Sequence, residues 1–344
     1  MANATTNAAP ARYWRIEPPD RIRCVLCPRH CRLKDGQHGA CLVRRNAGGR
    51  MVLASYGRIS GLCVDPVEKK PLYHFLPATE ILSFGAIGCH LACRFCQNWH
   101  LSAAEDDRQL STEASPEAIA EAAARYRCRS VAFTYNDPIP SLEFVVDVAN
   151  ACRQRGLRTV AVTNGFVTDE ARGEFFDAMD AANVDLKSFS DDFYRRNCAA
   201  RLEPVLETLR HIARGGRTWL ELTTLLIPGE NDTEDELDRM TQWVVRELGA
   251  DVPMHFSAFR PAFRMTDRPP TPMRTLALAR AIALRNGLRY VYSGNVRDPD
   301  GGITSCPQCR RALILREGFS SRVIGVDDSG RCRACGAAVA GVWR

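Results

Sequence analysis

The sequence is poor in lysine: only Lys34, Lys69, Lys70 and Lys187 occur among 46 basic residues. Arginine therefore supplies generic surface charge, and the few lysines mark either chance or places where a compact ammonium is wanted instead of a planar guanidinium. A large excess of one charge is also missing. The 46 basic residues face 40 acidic ones, a net charge of +6, which excludes a polybasic membrane patch and argues little for nucleic acid. No run approaches the roughly 18 apolar residues of a membrane helix. The opening MANATTNAAPARYW has no apolar h-region, so a secretory signal is not expected. Repeats and low-complexity segments are absent beyond that opening. With 344 residues, 45% hydrophobic and 25% charged, the chain is long enough to bury a core without disulfide staples.

Cysteine, by contrast, is abundant. Fifteen occur, eleven in tight clusters, while Cys63, Cys128, Cys152 and Cys198 stand alone and are expected to be small buried hydrophobes. Without an export signal the expected compartment is the reducing cytoplasm, where such clusters bind metals.

Short runs rich in branched and aromatic residues at 81–88, 130–135, 158–163, 182–187, 219–226, 252–259 and 288–293 read as buried strands. Amphipathic helical segments lie between them: one after Ser115-Pro116, one ending at Gly156, and one capped by Asp232 and stopped by Gly249. Seven alternating units imply parallel strands with helices outside, an α/β fold rolled into a partial (β/α) TIM-like barrel. The expected organisation is a disordered tail over 1–20, a Cys-rich N-terminal module over 21–77, the barrel over 78–300 and a zinc-ribbon-like module over 301–344.

The loop after the first barrel strand reads Gly88-Cys89-His90-Leu91-Ala92-Cys93-Arg94-Phe95-Cys96-Gln97-Asn98. Three thiolates at C-x3-C-x2-C spacing can hold three irons of a [4Fe–4S] cube and leave the fourth iron open. A zinc site completed by His90 or His100 is the competing reading. The loop's place at the C-terminal end of a strand is where such folds build active sites.

The segment CHLACRFCQN resembles the CxxxCxΦC motif of the radical S-adenosylmethionine (SAM) superfamily. With DPVEKKPLYHF, TYNDP, VTNGF, DLK, IPGEND, YVYSGNV and the terminal CPQC, CRAC and GVW, the chain is similar to the radical SAM enzyme of the AmmeMemoRadiSam system, itself related to pyruvate formate-lyase activating enzymes. The likeness spans about residues 22–343. It implies that Cys89, Cys93 and Cys96 carry the cluster, with SAM chelated to its open iron and cleaved reductively to a 5′-deoxyadenosyl radical. Phe95 and Asn98 are then expected beside the adenine. Tyr135, Asn136 and Asp137 are expected near the methionine ammonium, although relatives often carry a longer acid at Asp137; a plain Asn-Asp-Pro turn is the alternative. Asp185 and Lys187 share a face and would flank SAM or substrate, or else form an internal salt bridge. Asn164 reads as a rim residue or part of a left-handed turn with Gly165.

Two further cysteine sets frame the barrel. Cys306, Cys309, Cys332 and Cys335 form paired CxxC knuckles, a zinc-ribbon signature with a closed, structural shell. Cys24, Cys27, Cys31 and Cys41 also suffice for a closed site, and their spacing leaves zinc and a second [4Fe–4S] cluster equally open. A second cluster would suit an electron relay; zinc would only pin the module.

The expected function is hydrogen abstraction from a substrate not named by the sequence, by analogy a partner protein. Radical SAM modification of RNA or a metabolite, and a non-catalytic zinc-binding interaction module, are the alternatives. A flavodoxin- or ferredoxin-like electron donor and AMMECR1-like and Memo-like partner proteins are implied by the resemblance. No membrane partner is expected, and no basic and aromatic stripe points to nucleic acid.

Overall fold

Seven short apolar runs do become seven parallel strands. The structure is a computed structural model that describes residues 8–104 and 110–344. A nine-stranded sheet carries β1 (Arg58–Pro66), β2 (Glu80–Gly85), β3 (Thr112–Glu113), β4 (Ser130–Phe133), β5 (Arg158–Thr163), β6 (Ala181–Asp185), β7 (Trp219–Leu226), β8 (Met254–Ala258) and β9 (Val291–Gly294). Its order is β9-β8-β7-β6-β5-β4-β2-β1-β3. All neighbours from β2 to β9 pair in parallel, while β1 runs antiparallel to β2 and β3. The two ends of the sheet do not pair, so it forms an open arc, as a partial barrel requires.

Helices α1 (Pro116–Arg125), α2 (Leu142–Gln154), α3 (Asp169–Asp177), α4 (Glu203–Gly215), α5 (Glu234–Leu248) and α6 (Met273–Arg285) connect the strands. Each is too long for a hairpin and returns the chain for another parallel strand. Ser115 caps α1 by accepting from Ala118 N. The expected cap of α5 is corrected: Thr233 accepts from Glu236 N, because Asp232 already accepts from Gly229 N at 2.8 Å in the preceding turn. Gly249 stops α5 at φ 101°. No helix among the described residues is long and apolar enough to cross a membrane.

The N-terminal block departs from expectation at its start. Residues 1–7 of the expected tail lie outside the described residues, but Ala9–Pro10 and Trp14–Glu17 are strands. Trp14 pairs opposite Cys24 and Ala9 opposite Leu53, so ladder pairing replaces a free tail there. Of the single cysteines, Cys128, Cys152 and Cys198 are buried and Cys63 is exposed. Cys63 sits where the β1 register shifts after Ser60, and that irregularity turns it outward.

Below the strands, Glu221 of β7 ties the inter-module linker to the barrel. Its buried carboxylate accepts from Tyr73 N, His74 N at 2.8 Å and His255 Nε2 at 2.7 Å. The C-terminal module is fastened to the same linker: Leu76 N donates to Val342 O and Val342 N to His74 O, each at 2.7 Å.

Candidate active site at the mouth of the strands

The loop that leaves β2 is fixed along its length by groups distant in sequence. Asn136, just past β4, donates to Gly88 O at 2.6 Å and accepts from Ala86 N at 2.9 Å. Ala92 N donates to Cys198 O and Arg94 N to Asn197 O. Gly88 has φ +76°, and a Cβ there would fall 2.1 Å from the Cys41 carbonyl oxygen. Only glycine lets this loop lie against the N-terminal cysteine loop.

Cys89, Cys93 and Cys96 line a cavity of about 1560 Å³ at the C-terminal ends of the strands. Phe95, Asn98, Tyr135, Asn136, Asp137, Asn164, Asp185 and Lys187 line the same cavity. The residues expected to contact SAM are therefore brought to one place with the triad, although more than 90 residues separate the first from the last, whereas His90 and His100 do not line this cavity.

Several of these side chains are already engaged. Asp137 accepts from Asn164 N at 2.7 Å, Thr163 Oγ1 at 2.9 Å and Ile139 N at 3.0 Å. Burial opposes its ionisation, but the His90 imidazole 3.6 Å away and these donors hold it below the ordinary carboxylate value. Asp137 thus acts as a strut that orients the β4 and β5 ends. Asn164 accepts from His90 Nε2 at 3.0 Å and Phe166 N at 2.9 Å, while Gly165 adopts φ +67°, so the rim position and the turn coexist.

Asp185 and Lys187 likewise combine both readings. Their 2.8 Å ion pair faces the cavity, with the ammonium 5.8 Å from the Phe95 ring. Burial disfavours the charge of Lys187, yet Asp185 and the nearby Cys93 and Cys198 thiols keep its pKa well above the ordinary value. Asn98 donates to Tyr135 O at 2.7 Å, and Tyr135 holds φ +70°, a region costly for a bulky residue and found at functional sites.

Behind Tyr135 lies a group that motif reading located without explaining. Asp65 accepts from both Lys69 and Lys70 at 2.7 Å, and the Lys70 ammonium stands 5.3 Å from the Tyr135 ring. Burial pushes the Asp65 carboxyl up, but the two ammonium groups outweigh it and bring it well below its usual range. Sequence reasoning missed Thr223, His255 and Ser257 on the inner face and Arg260, Arg297 and Arg322 at the rim. Alternation from Glu221 along β7 was a usable signal for Thr223; arginine is too common here to flag any one position.

The donor set suits an iron–sulfur cube. Among the described residues, Cys306, Cys309, Cys332 and Cys335 are the one set of three or more metal-type ligands whose atoms all lie within 4.8 Å. The triad thiols are spread more widely than a single ion allows, as one thiolate per iron requires.

A parallel α/β arc with a three-thiol loop at its C-terminal mouth defines the class, an iron–sulfur enzyme of barrel type. The sequence profile of the radical SAM superfamily matches residues 86–241. An uncharacterized protein of Methanocaldococcus jannaschii is 41% identical over 327 residues, 95% of this chain and 97% of that protein. Pyruvate formate-lyase 1-activating enzyme of Escherichia coli is 25% identical over 174 residues, 47% of this chain and 67% of that enzyme. Among solved structures, a radical SAM methyltransferase from Sphaerobacter thermophilus aligns with a TM-score of 0.50 at 13% identity, covering 84% of this chain and 77% of that one, which speaks to the fold. Residues 86–241 thus match the radical SAM superfamily, a family that uses a [4Fe–4S] cluster and SAM, and the chain is related to pyruvate formate-lyase activating enzyme over 47% of its length.

Proposed function

We propose that the chain is a SAM-cleaving enzyme whose cluster is held by Cys89, Cys93 and Cys96. The observation that carries this reading is the convergence of three thiols and eight polar or aromatic candidates on one cavity. A bound [4Fe–4S] cluster with SAM supplies one-electron cleavage of the sulfonium and hence a hydrogen-abstracting 5′-deoxyadenosyl radical. The protein's own residues do the rest. Phe95 and Asn98 would hold the adenine side and Tyr135 and Asn136 would offer oxygen acceptors to the methionine ammonium, with Asp137 bracing the ends of β4 and β5 beside them. The Lys187 ammonium partly offsets the negative charge of the thiolates, and its pair with Asp185 offers an acceptor and a donor to cofactor or substrate.

The substrate assignment is activating-enzyme-like: hydrogen is taken from a partner protein. The similarity to pyruvate formate-lyase activating enzyme supports it. Membership of the AmmeMemoRadiSam group, AMMECR1-like and Memo-like partners, a flavodoxin- or ferredoxin-like donor and a cytoplasmic location belong to the same reading. Zinc in the C-terminal ribbon is supported by thiol separations of 3.6 and 3.7 Å.

The deciding experiment is anaerobic reconstitution followed by dithionite reduction with SAM. Release of 5′-deoxyadenosine by the wild type, lost in Cys93→Ala with the fold retained, is the expected result. Unchanged release in that variant, or zinc in place of iron at the triad, would sink the assignment.

A further inference from the structure

The three cysteine sets are built on two different length scales. In the C-terminal set Cys306 and Cys335 thiols lie 3.6 Å apart, and Cys309 and Cys332 thiols 3.7 Å apart. Zinc–sulfur bonds of ~2.3 Å in a tetrahedron place sulfurs about 3.8 Å apart, so this set fits one ion. The N-terminal set does not share that spacing. No three of Cys24, Cys27, Cys31, Cys41 and the neighbouring histidines bring their ligating atoms within 4.8 Å of one another, as the C-terminal four do.

Even so, the four N-terminal thiols converge. All of them line one small cavity, together with Arg44, His90 and Pro140. Gly39 lies beside two of them: a Cβ there would stand 3.6 Å from the Cys41 thiol and 3.7 Å from that of Cys31. Four thiols around a shared space, too far apart for one ion, suit a polynuclear centre with one thiolate on each metal.

A second observation concerns what faces that space. The Arg44 side chain is 1% exposed and its outer nitrogens are used: one donates to Glu143 at 2.9 Å and Pro140 O at 3.2 Å, the other to Glu143 at 3.1 Å and to Arg12 O. Its Nε is buried with no partner. A buried polar group left unpaired costs about 1–3 kcal/mol. The sulfurs of an anionic cluster would accept from the Arg44 Nε–H.

We propose that Cys24, Cys27, Cys31 and Cys41 hold a second, fully ligated [4Fe–4S] cluster packed against the triad loop. The site stands apart from the reading of the triad, and removing the triad leaves it testable. The full-length chain carrying Cys89→Ala, Cys93→Ala and Cys96→Ala, reconstituted anaerobically with iron and sulfide, should retain about four irons and four acid-labile sulfides, and on dithionite reduction show the electron paramagnetic resonance of a one-electron-reduced cube. Adding Cys27→Ser and Cys41→Ser should remove iron and labile sulfide together. Two zincs without labile sulfide in the triad variant, or only about two irons, would overturn the proposal. So would labile sulfide that survives the added substitutions, because the cluster would then lie elsewhere. Should the five-site variant fail to fold, the iron and sulfide content of the triad variant decides by itself.

Discussion

Replacing Gly88 by alanine tests whether the contact between the triad loop and the N-terminal cysteine loop is as tight as the structure has it. Two costs arise. The first is backbone strain, since φ is +76° and a left-handed conformation costs an L-residue about 1–2 kcal/mol. The second is steric: a Cβ would stand 2.1 Å from the Cys41 carbonyl and 3.0 Å from Val43 Cγ1. The nearer atom is backbone, so relief requires one loop to move, at about 1–3 kcal/mol for overpacking. Gly229 provides the control, because it has the same φ of +76° and nothing within 4 Å of a built Cβ. Gly229→Ala should therefore lose about 1–2 kcal/mol, and Gly88→Ala about 1–3 kcal/mol more. The assay is the unfolding midpoint of both variants beside wild type, with iron content measured on the same preparations. Equal losses in the two variants, with iron unchanged, would refute the close approach of the loops.

The Asp65 ion cluster yields two further predictions. Asp65→Asn leaves the Lys70 ammonium, with a side chain 2% exposed, without its counter-charge, and should cost about 3–5 kcal/mol in thermal or denaturant unfolding. Adding Lys70→Met should recover most of that loss. Because the folded Asp65 carboxyl lies below its ordinary value, its contribution is full above the unfolded pKa of about 3.9 and is lost as pH falls from there through the folded value. The stability gap between wild type and Asp65→Asn should accordingly narrow on acidification below about pH 4, and a gap that widened would refute the pairing. Cys309→Ser should release the ribbon metal and open residues 303–344 to limited proteolysis, because the shell is closed by four thiolates. Unchanged metal content and protease resistance would rule out a structural ion there.

Position and spacing along the chain determined the chemistry that could be read directly. The C-x3-C-x2-C loop after an apolar run, the paired CxxC knuckles and the seven short runs each depend on neighbours a few residues away. Local rules were enough for the arc of parallel strands and for the candidate cluster ligands. The cap of α5 was misplaced by one residue because Asp232 was drawn into the turn before it, a competition between two local motifs. Lys187 could be singled out by its rarity, but its pairing with Asp185 and its approach to Phe95 follow from how β6 faces the triad loop.

Tertiary structure alone decided the rest. Nothing near Gly88 in sequence shows that Cys41 lies against it, or that Arg44 and His90 share a cavity with four thiols. The sequence spacing of the N-terminal cysteines suits one metal ion or four irons equally. These readings differ only in space, because a ligand shell is a set of distances that residue spacing does not fix.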